Sequence, residues 1–359
     1  MSFSLLRKIF PTNSYLGVDI GTTSIKVVEL AKKKGLPLLK SYGFLESYGH
    51  LERLNNAIQT STLKMLEQET AGLLVAIIKQ IDAGTKSAIA SLPAFSAFTT
   101  LLELPLMSEG DTAQAMSFQA KQYIPLPMAS VTIDWMKVGE RKDEETGEMK
   151  QQVLLISVPN EIIRKYKTIF KNAGLNLVAL EIEGISTARV LTPRTDKNIL
   201  IVDIGSRSTA ISIARNGLLK FSGQTDFAGG SLTQTVASGL NIRVRRAEDL
   251  KKKRGLTGVG GEYELSTLMM PMLDVIISEV KRVKNNFENN YKESVESVIL
   301  AGGGANLMGI EQYFSGQLGL PVSRANPFSE VEYPNEIGPF VKELGPEFVV
   351  ALGLGIKAF

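Results

Sequence analysis

Two short stretches carry residues able to do chemistry, at matching spacing. Asp19, Gly21, Thr22, Thr23 and Ser24 lie in "YLGVDIGTTSIKVVEL". Asp203, Gly205, Ser206, Arg207 and Ser208 lie in "ILIVDIGSRSTAISIA", half a chain further on. Each reads as an apolar strand, a small turn and a second apolar strand. Glycine and small side chains leave successive backbone N–H groups open to approach, which suits phosphate. A carboxylate just before such a turn cannot abut phosphate alone. A Mg²⁺ ion between them, usually through water, removes the repulsion. Lys26 adds a point charge. One such turn is common and usually structural. Two copies point instead to shared phosphate binding. The expected arrangement is two lobes, each offering one turn to the β- and γ-phosphates of a single nucleotide, with Asp19 and Asp203 toward the metal.

Three further stretches fit that cleft. In "DFAGGSLTQTV", Gly229 and Gly230 precede a helix expected to open at Ser231 or Leu232, and paired glycines there suit a terminal phosphate. "VILAGGGANLMGIEQYF" reads as a strand, then Gly302, Gly303 and Gly304, then a helix from about Met308. Backbone there can pack against a base or an α-phosphate. Neither a P-loop nor a dinucleotide-binding glycine signature is present. In "AEDLKKKRG", Glu248 and Lys251 share a helix face. Lys252 to Arg254 reads as a solvated charge run.

The elements that position these residues follow from patterning. Ile25, Val27 and Leu30 cannot share one alternating face, which marks a strand buried on both sides. The first lobe is expected over residues 14–85 and 160–196, with a closing helix over 346–359. Residues 86–159 read as a small inserted α+β subdomain. It holds strands near 88–91 and 99–104, a helix capped by Asp111, and two strands flanking the charged tip "GERKDEETGEM". A helix then runs from Asn160 as cap to Gly174 as stop, with Ile162, Tyr166, Ile169 and Phe170 inward. The second lobe is expected over 197–235 and 296–345, interrupted by a helical insertion over 236–295. Its long helix, from about Glu264 to Tyr291, places Leu268, Met272, Val283 and Phe287 on one stripe, with Pro271 near its start.

Bulk properties exclude several classes. At 359 residues the chain exceeds one comfortable core. A net charge of +3 gives no electrostatic argument for nucleic acid. With no cysteine and a single histidine, His50, thiol nucleophiles, Cys-zinc sites and His-based triads are ruled out. His50 reads as a solvated side chain. No apolar run approaches the roughly 18–20 residues that span a bilayer. Phe3, Leu6 and Phe10 share a helical face, read as a docked terminus rather than a membrane contact.

Taken in order, these stretches resemble the actin, heat-shock chaperone and sugar-kinase superfamily. The two turns resemble its phosphate motifs, "EIEGISTARV" and "ALGLGIKAF" its connecting helices, and "LAGGGANLMG" its adenosine motif. The resemblance implies a two-lobed actin-like ATPase fold of the α/β class, with duplicated ribonuclease-H-like domains. It makes Glu248 and Lys251 the adenosine-holding pair. It places Glu183 near metal and attacking water, kept ionised by a helix N-terminus. Gly184 stands where the family usually has proline, and Arg207 is bulkier than usual for its turn.

"ASLPAFSAFTTLLELP", "AKQYIPLPMASVTIDW" and the ending narrow the likeness to the PilM family of type IV pilus assembly proteins. That likeness implies ATP and Mg²⁺ as ligands with weak hydrolysis, and a cytoplasmic location at the inner membrane. The implied partners are a PilN-like membrane protein bound by its short N-terminal tail, a PilO-like protein reached through it, and the pilus motor ATPase. An FtsA-like division protein is the first alternative. Its usual C-terminal amphipathic helix has no counterpart after Phe359. The second is a small-molecule kinase, for which no dedicated base is evident.

Overall fold

The computed structural model describes residues 13–46, 67–143, 146–256 and 263–359. His50 and the apolar residues of the 1–10 segment lie outside these. Strands β1 (Ser14–Ile20), β2 (Ser24–Ala31) and β3 (Leu38–Glu46) form an antiparallel meander. Helix α1 (Glu67–Gln80) leads to β4 (Ser87–Leu92). Strand β5 (Phe98–Pro105), helix α2 (Glu109–Tyr123) and strands β6 (Val131–Lys142) and β7 (Met149–Pro159) follow. Helix α3 (Asn160–Asn172), β8 (Asn176–Ile182) and α4 (Glu183–Leu191) end the first half.

The second half repeats the scheme. A meander of β9 (Ile199–Ile204), β10 (Thr209–Arg215) and β11 (Leu218–Thr225) precedes α5 (Gly229–Gly239), α6 (Val244–Arg254) and α7 (Tyr263–Tyr291). Then come β12 (Ser297–Ala301), α8 (Ile310–Leu318), β13 (Val322–Arg324) and α9 (Val341–Ile356).

The strand order is β3-β2-β1-β4-β8 in one sheet and β11-β10-β9-β12-β13 in the other. In both, a three-stranded antiparallel meander is extended by two parallel strands. Two sheets of one topology make a duplicated two-lobed actin-like fold. The third sheet, β5-β7-β6, belongs to the inserted subdomain.

Helix α9 binds the pieces together. It packs into the first lobe so closely that a Cβ on Gly17 would lie 2.1 Å from the Ala351 carbonyl oxygen. A Cβ on Gly353 would lie 2.1 Å from that of Ser186 in α4. Phe348, Ala351 and Leu352 complete a core with Val28, Leu30 and Leu39.

Several boundaries differ from expectation. Residues 87–92 are not part of the subdomain: β4 pairs in parallel with β1 and β8 at the centre of the first lobe. The subdomain therefore starts beyond Leu92. The α2 cap is Ser108, whose Oγ accepts the Asp111 amide, so Asp111 lies in the first turn instead. Pro159, not Asn160, is the cap residue of α3, and Asn160 Nδ2 donates to the Ala129 carbonyl. In α7 the buried face is Leu265, Met269, Leu273, Ile276, Val280, Val283 and Phe287, whereas Leu268 and Met272 are half-buried. Pro271 lies within this helix. Helix α9 begins at Val341, ahead of Pro346, because a short 3₁₀ turn over Asn335–Phe340 runs directly into it.

Candidate functional site

Between the lobes lies a cleft of about 640 Å³. Every residue singled out for nucleotide or metal lines it. The first lobe contributes Asp19, Gly21, Thr22, Thr23, Lys26 and Glu183. The second contributes Asp203, Gly205, Ser206, Ser208, Gly229, Gly230, Glu248, Lys251, Gly302, Gly303 and Gly304.

The two turns are built alike. Ile20 pairs with Ile25 and Ile204 with Thr209, so each register closes over four residues. The Gly21 amide donates to the Ser24 carbonyl at 2.9 Å, and the Gly205 amide to that of Ser208 at 3.1 Å. The second turn is pinned from outside as well. The amides of Gly229 and Gly230 donate to the carbonyls of Gly205 and Ser206, at 2.9 and 2.8 Å. Helix α5 therefore starts at Gly229, earlier than expected. A Cβ on Gly230 would meet Ser206 O at 2.6 Å, so only glycine fits. Gly302, at φ +75°, holds the loop against Asp203, whose Oδ1 lies 2.4 Å from where a Cβ would be.

The cleft floor is crowded with acids. Asp19 is buried; its Oδ1 accepts from Ser91 Oγ at 3.0 Å and its Oδ2 from Lys26 Nζ at 3.4 Å. Burial pushes Asp203 up to about 6, with Lys26 opposing and Asp19 adding to the rise. Glu183 opens α4, where the helix N-terminus favours its charge. Burial and then Asp203 nevertheless push it up to about 8, against the Ala94 amide that donates to its Oε1 at 3.0 Å. These influences oppose the ionisation expected of Glu183. Burial disfavours the Lys26 ammonium, yet Asp19, Glu347 and Asp203 together hold its pKa above the ordinary lysine value.

These donors suit Mg²⁺. Among the described residues no three His, Cys, Asp or Glu converge to cage a metal. Mg²⁺ needs no such cage, being held by one or two carboxylates together with phosphate oxygens and water. A cation would also relieve the repulsion that raises Asp203 and Glu183.

On the second lobe's side of the cleft, Lys251 Nζ lies 2.7 Å from Glu248 Oε2. It also donates to the Gly229 carbonyl and to Thr233 Oγ1, at 2.9 and 2.8 Å. Thr233 donates to Glu248 in turn. Burial disfavours the Glu248 charge, but Lys251 and Thr233 hold its carboxyl below the ordinary value. The pair is thus a prearranged polar corner against helix α5.

Sequence reasoning missed several residues of the cleft. Glu347, on α9, lies near Lys26 and accepts from Asn306 Nδ2 at 3.4 Å. Burial raises its pKa. Phe44 lies under Lys26 Nζ, 6.0 Å from the ring centroid. Lys252 is not merely solvated. It reaches Glu46 of the first lobe at 3.2 Å, an ion pair across the cleft mouth. None of these lies in a glycine-rich motif, and nothing local marks them.

The model of the family "Type IV pilus assembly protein PilM" matches residues 17–359. The chain belongs to that family. Among curated relatives, cell division protein FtsA of Enterococcus faecalis (strain ATCC 700802 / V583) is 23% identical, over 91% of this chain and 84% of that protein. FtsA of Bacillus subtilis (strain 168) is 24% identical, but the match spans only 38% of this chain and 34% of that protein. Among solved structures, a PilM-PilN type IV pilus biogenesis complex superposes with a TM-score of 0.79 at 22% identity, covering 96% of this chain and 98% of that one. MreB5 of Spiroplasma citri bound to ADP gives 0.54 at 15% identity, covering 95% of each. The fold and a role in type IV pilus assembly follow from the family. No helix among the described residues is long and apolar enough to cross a membrane.

Proposed function

We propose that this chain binds Mg-ATP between its lobes and is the ATP-binding adaptor of the type IV pilus assembly complex, on the cytoplasmic face of the inner membrane. The observation that carries this reading is the pair of equivalent turns facing one cleft, each preceded by an aspartate. The turn amides, with Thr22, Thr23, Ser206 and Ser208, take the β- and γ-phosphates. Gly229 and Gly230 meet the terminal phosphate, and Lys26 balances charge. Glu248 and Lys251 hold the ribose, and Gly302 to Gly304 meet the base or α-phosphate. Asp19 and Asp203 orient the metal's waters. The metal, when bound, screens phosphate charge from the acidic floor. Burial and the neighbouring acids raise the pKa of Glu183; a bound cation would favour its carboxylate, which could then accept a proton from water, in keeping with weak hydrolysis at most.

The partner is the short cytoplasmic tail of a PilN-like membrane protein. Through it the chain contacts a PilO-like protein, and it links both to the cytoplasmic motor ATPase. The PilM-PilN complex among its structural neighbours supports the choice of partner. ATP acts as a switching ligand only as far as it prefers one lobe arrangement.

Calorimetry of the full chain with ATP, with and without Mg²⁺, tests the ligand. No heat under either condition would rule it out. A pull-down from host membranes with and without Mg-ATP tests the partner. Recovery of a single-span membrane protein, lost when its cytoplasmic tail is deleted, is the expected result. Recovery of a tubulin-like division protein would favour the FtsA-like reading that the curated relatives support.

A further inference from the structure

The two turns differ in where they carry positive charge. In the first, the register partner of Asp19 is Lys26, on the returning strand. In the second, the partner of Asp203 is Ala210, which brings no charge. The second turn carries its cation at the tip instead: Arg207 stands where the first turn has Thr23.

Three observations bear on Arg207. It lines the cleft. Its backbone is fixed, because the carbonyls of Gly205 and Ser206 are taken by α5 amides and the Gly205 amide by Ser208. Its side chain is exposed and has no hydrogen bond or ion pair among the described residues. Lys26, Lys251, Lys252 and Arg324 line the same cleft but are already paired with Asp19, Glu248, Glu46 and Glu311, and Lys342, also exposed, stands on helix α9 rather than at the tip of a turn. An incoming anion must compete with a carboxylate for each of the paired side chains. It need displace nothing from Arg207. A guanidinium also offers a planar fork that matches two phosphate oxygens.

We propose that Arg207 binds the terminal phosphate and makes the cleft prefer nucleoside triphosphate over diphosphate. This inference rests on the nucleotide reading above. The test is calorimetry on the full-length chain with Mg-ATP, a non-hydrolysable triphosphate analogue and Mg-ADP, comparing wild type with Arg207→Ala and Arg207→Lys. Arg207→Ala should weaken both triphosphates by about tenfold or more and Mg-ADP by less than about twofold, since a charge-assisted hydrogen bond is lost only with the former. Arg207→Lys should fall between, keeping the charge and losing the fork. Ligand-free melting should match wild type in both variants. A wild type that binds no nucleotide overturns the nucleotide reading and this inference together. A wild type that binds, with Arg207→Ala changing ATP and ADP by the same factor or not at all, overturns the role of Arg207 alone.

Discussion

At the scale of single residues, the cleft floor holds more acid than Lys26 balances. Asp19 is already dressed by Ser91 and Lys26, whereas Asp203 has no protein donor among the described residues. Replacing Asp203 should therefore act on Mg²⁺ rather than on folding, whereas replacing Asp19 also leaves Ser91 and Lys26 without their partner. Asp19→Ala and Asp203→Ala are expected to abolish the Mg²⁺-dependent part of ATP affinity, with thermal melting near that of wild type for Asp203→Ala and lower for Asp19→Ala, which loses the Ser91 and Lys26 bonds. Thr22→Val, Thr23→Val and Lys26→Ala should weaken binding less. Unchanged ATP affinity in both aspartate variants, measured by calorimetry, would contradict the metal assignment. The turns themselves were legible because their spacing repeats. Glu347, Phe44 and Glu46 were not, because each comes from a different element and only tertiary packing brings it to the cleft. Arg207 was visible as an oversized residue in its turn, but its lack of a partner is a three-dimensional fact.

Elements add a second kind of constraint, seen where β8, α4 and α9 meet. Glu181 in β8 takes Arg189 of α4 in two bonds, at 2.5 and 3.1 Å, and Lys357 just past α9 at 2.6 Å. Burial disfavours the Glu181 charge, yet Arg189 and Lys357 hold its pKa below the ordinary glutamate value. A carboxyl depressed on folding contributes stability that is present above its unfolded pKa. That contribution is lost as pH falls through the folded value. Glu181→Gln should thus cost about 2–3 kcal/mol at neutral pH. The gap from wild type should narrow in acid, below about pH 4. Urea unfolding at several pH values checks this, and a gap constant with pH would show that the ion pairs are not the cause. Nearby, Gly353→Ala forces a Cβ against the Ser186 carbonyl and should cost roughly 1–3 kcal/mol by overpacking. Both connecting helices were visible in the sequence, but the assignment of β4 was not. An apolar run such as "SAIASL" fits a central parallel strand or a subdomain edge equally well. Its parallel pairing with β1 and β8, contacts distant in sequence, decides between them.

For the whole molecule, the inserted subdomain belongs to the first lobe by sequence but also grips the second. Thr99 of β5 meets Ser222 of β11 at 2.8 Å, and Tyr291 at the end of α7 donates to the Leu101 carbonyl at 3.2 Å. At the centre of the contact is Glu293. It accepts from Lys220 Nζ at 2.8 and 2.7 Å, from Arg215 at 3.1 Å, from Asn198 at 3.1 Å, and from Gln152 of the subdomain at 3.2 Å. Lys220 is 0% exposed, and Glu293 is the carboxylate that bonds its ammonium. Removing only the acid strands a buried ammonium, which costs about 3–5 kcal/mol. Replacing both members with apolar side chains of similar volume removes that penalty. Glu293→Ala should therefore destabilise strongly, while Lys220→Met with Glu293→Leu should recover most of the loss. Neither variant keeps the Gln152 bond, so both should raise amide hydrogen exchange in β5 and β7 over wild type. Exchange that rises only in the single variant would mean that general destabilisation, not the severed junction, frees the subdomain. A rise in both would show that this carboxylate restrains the subdomain.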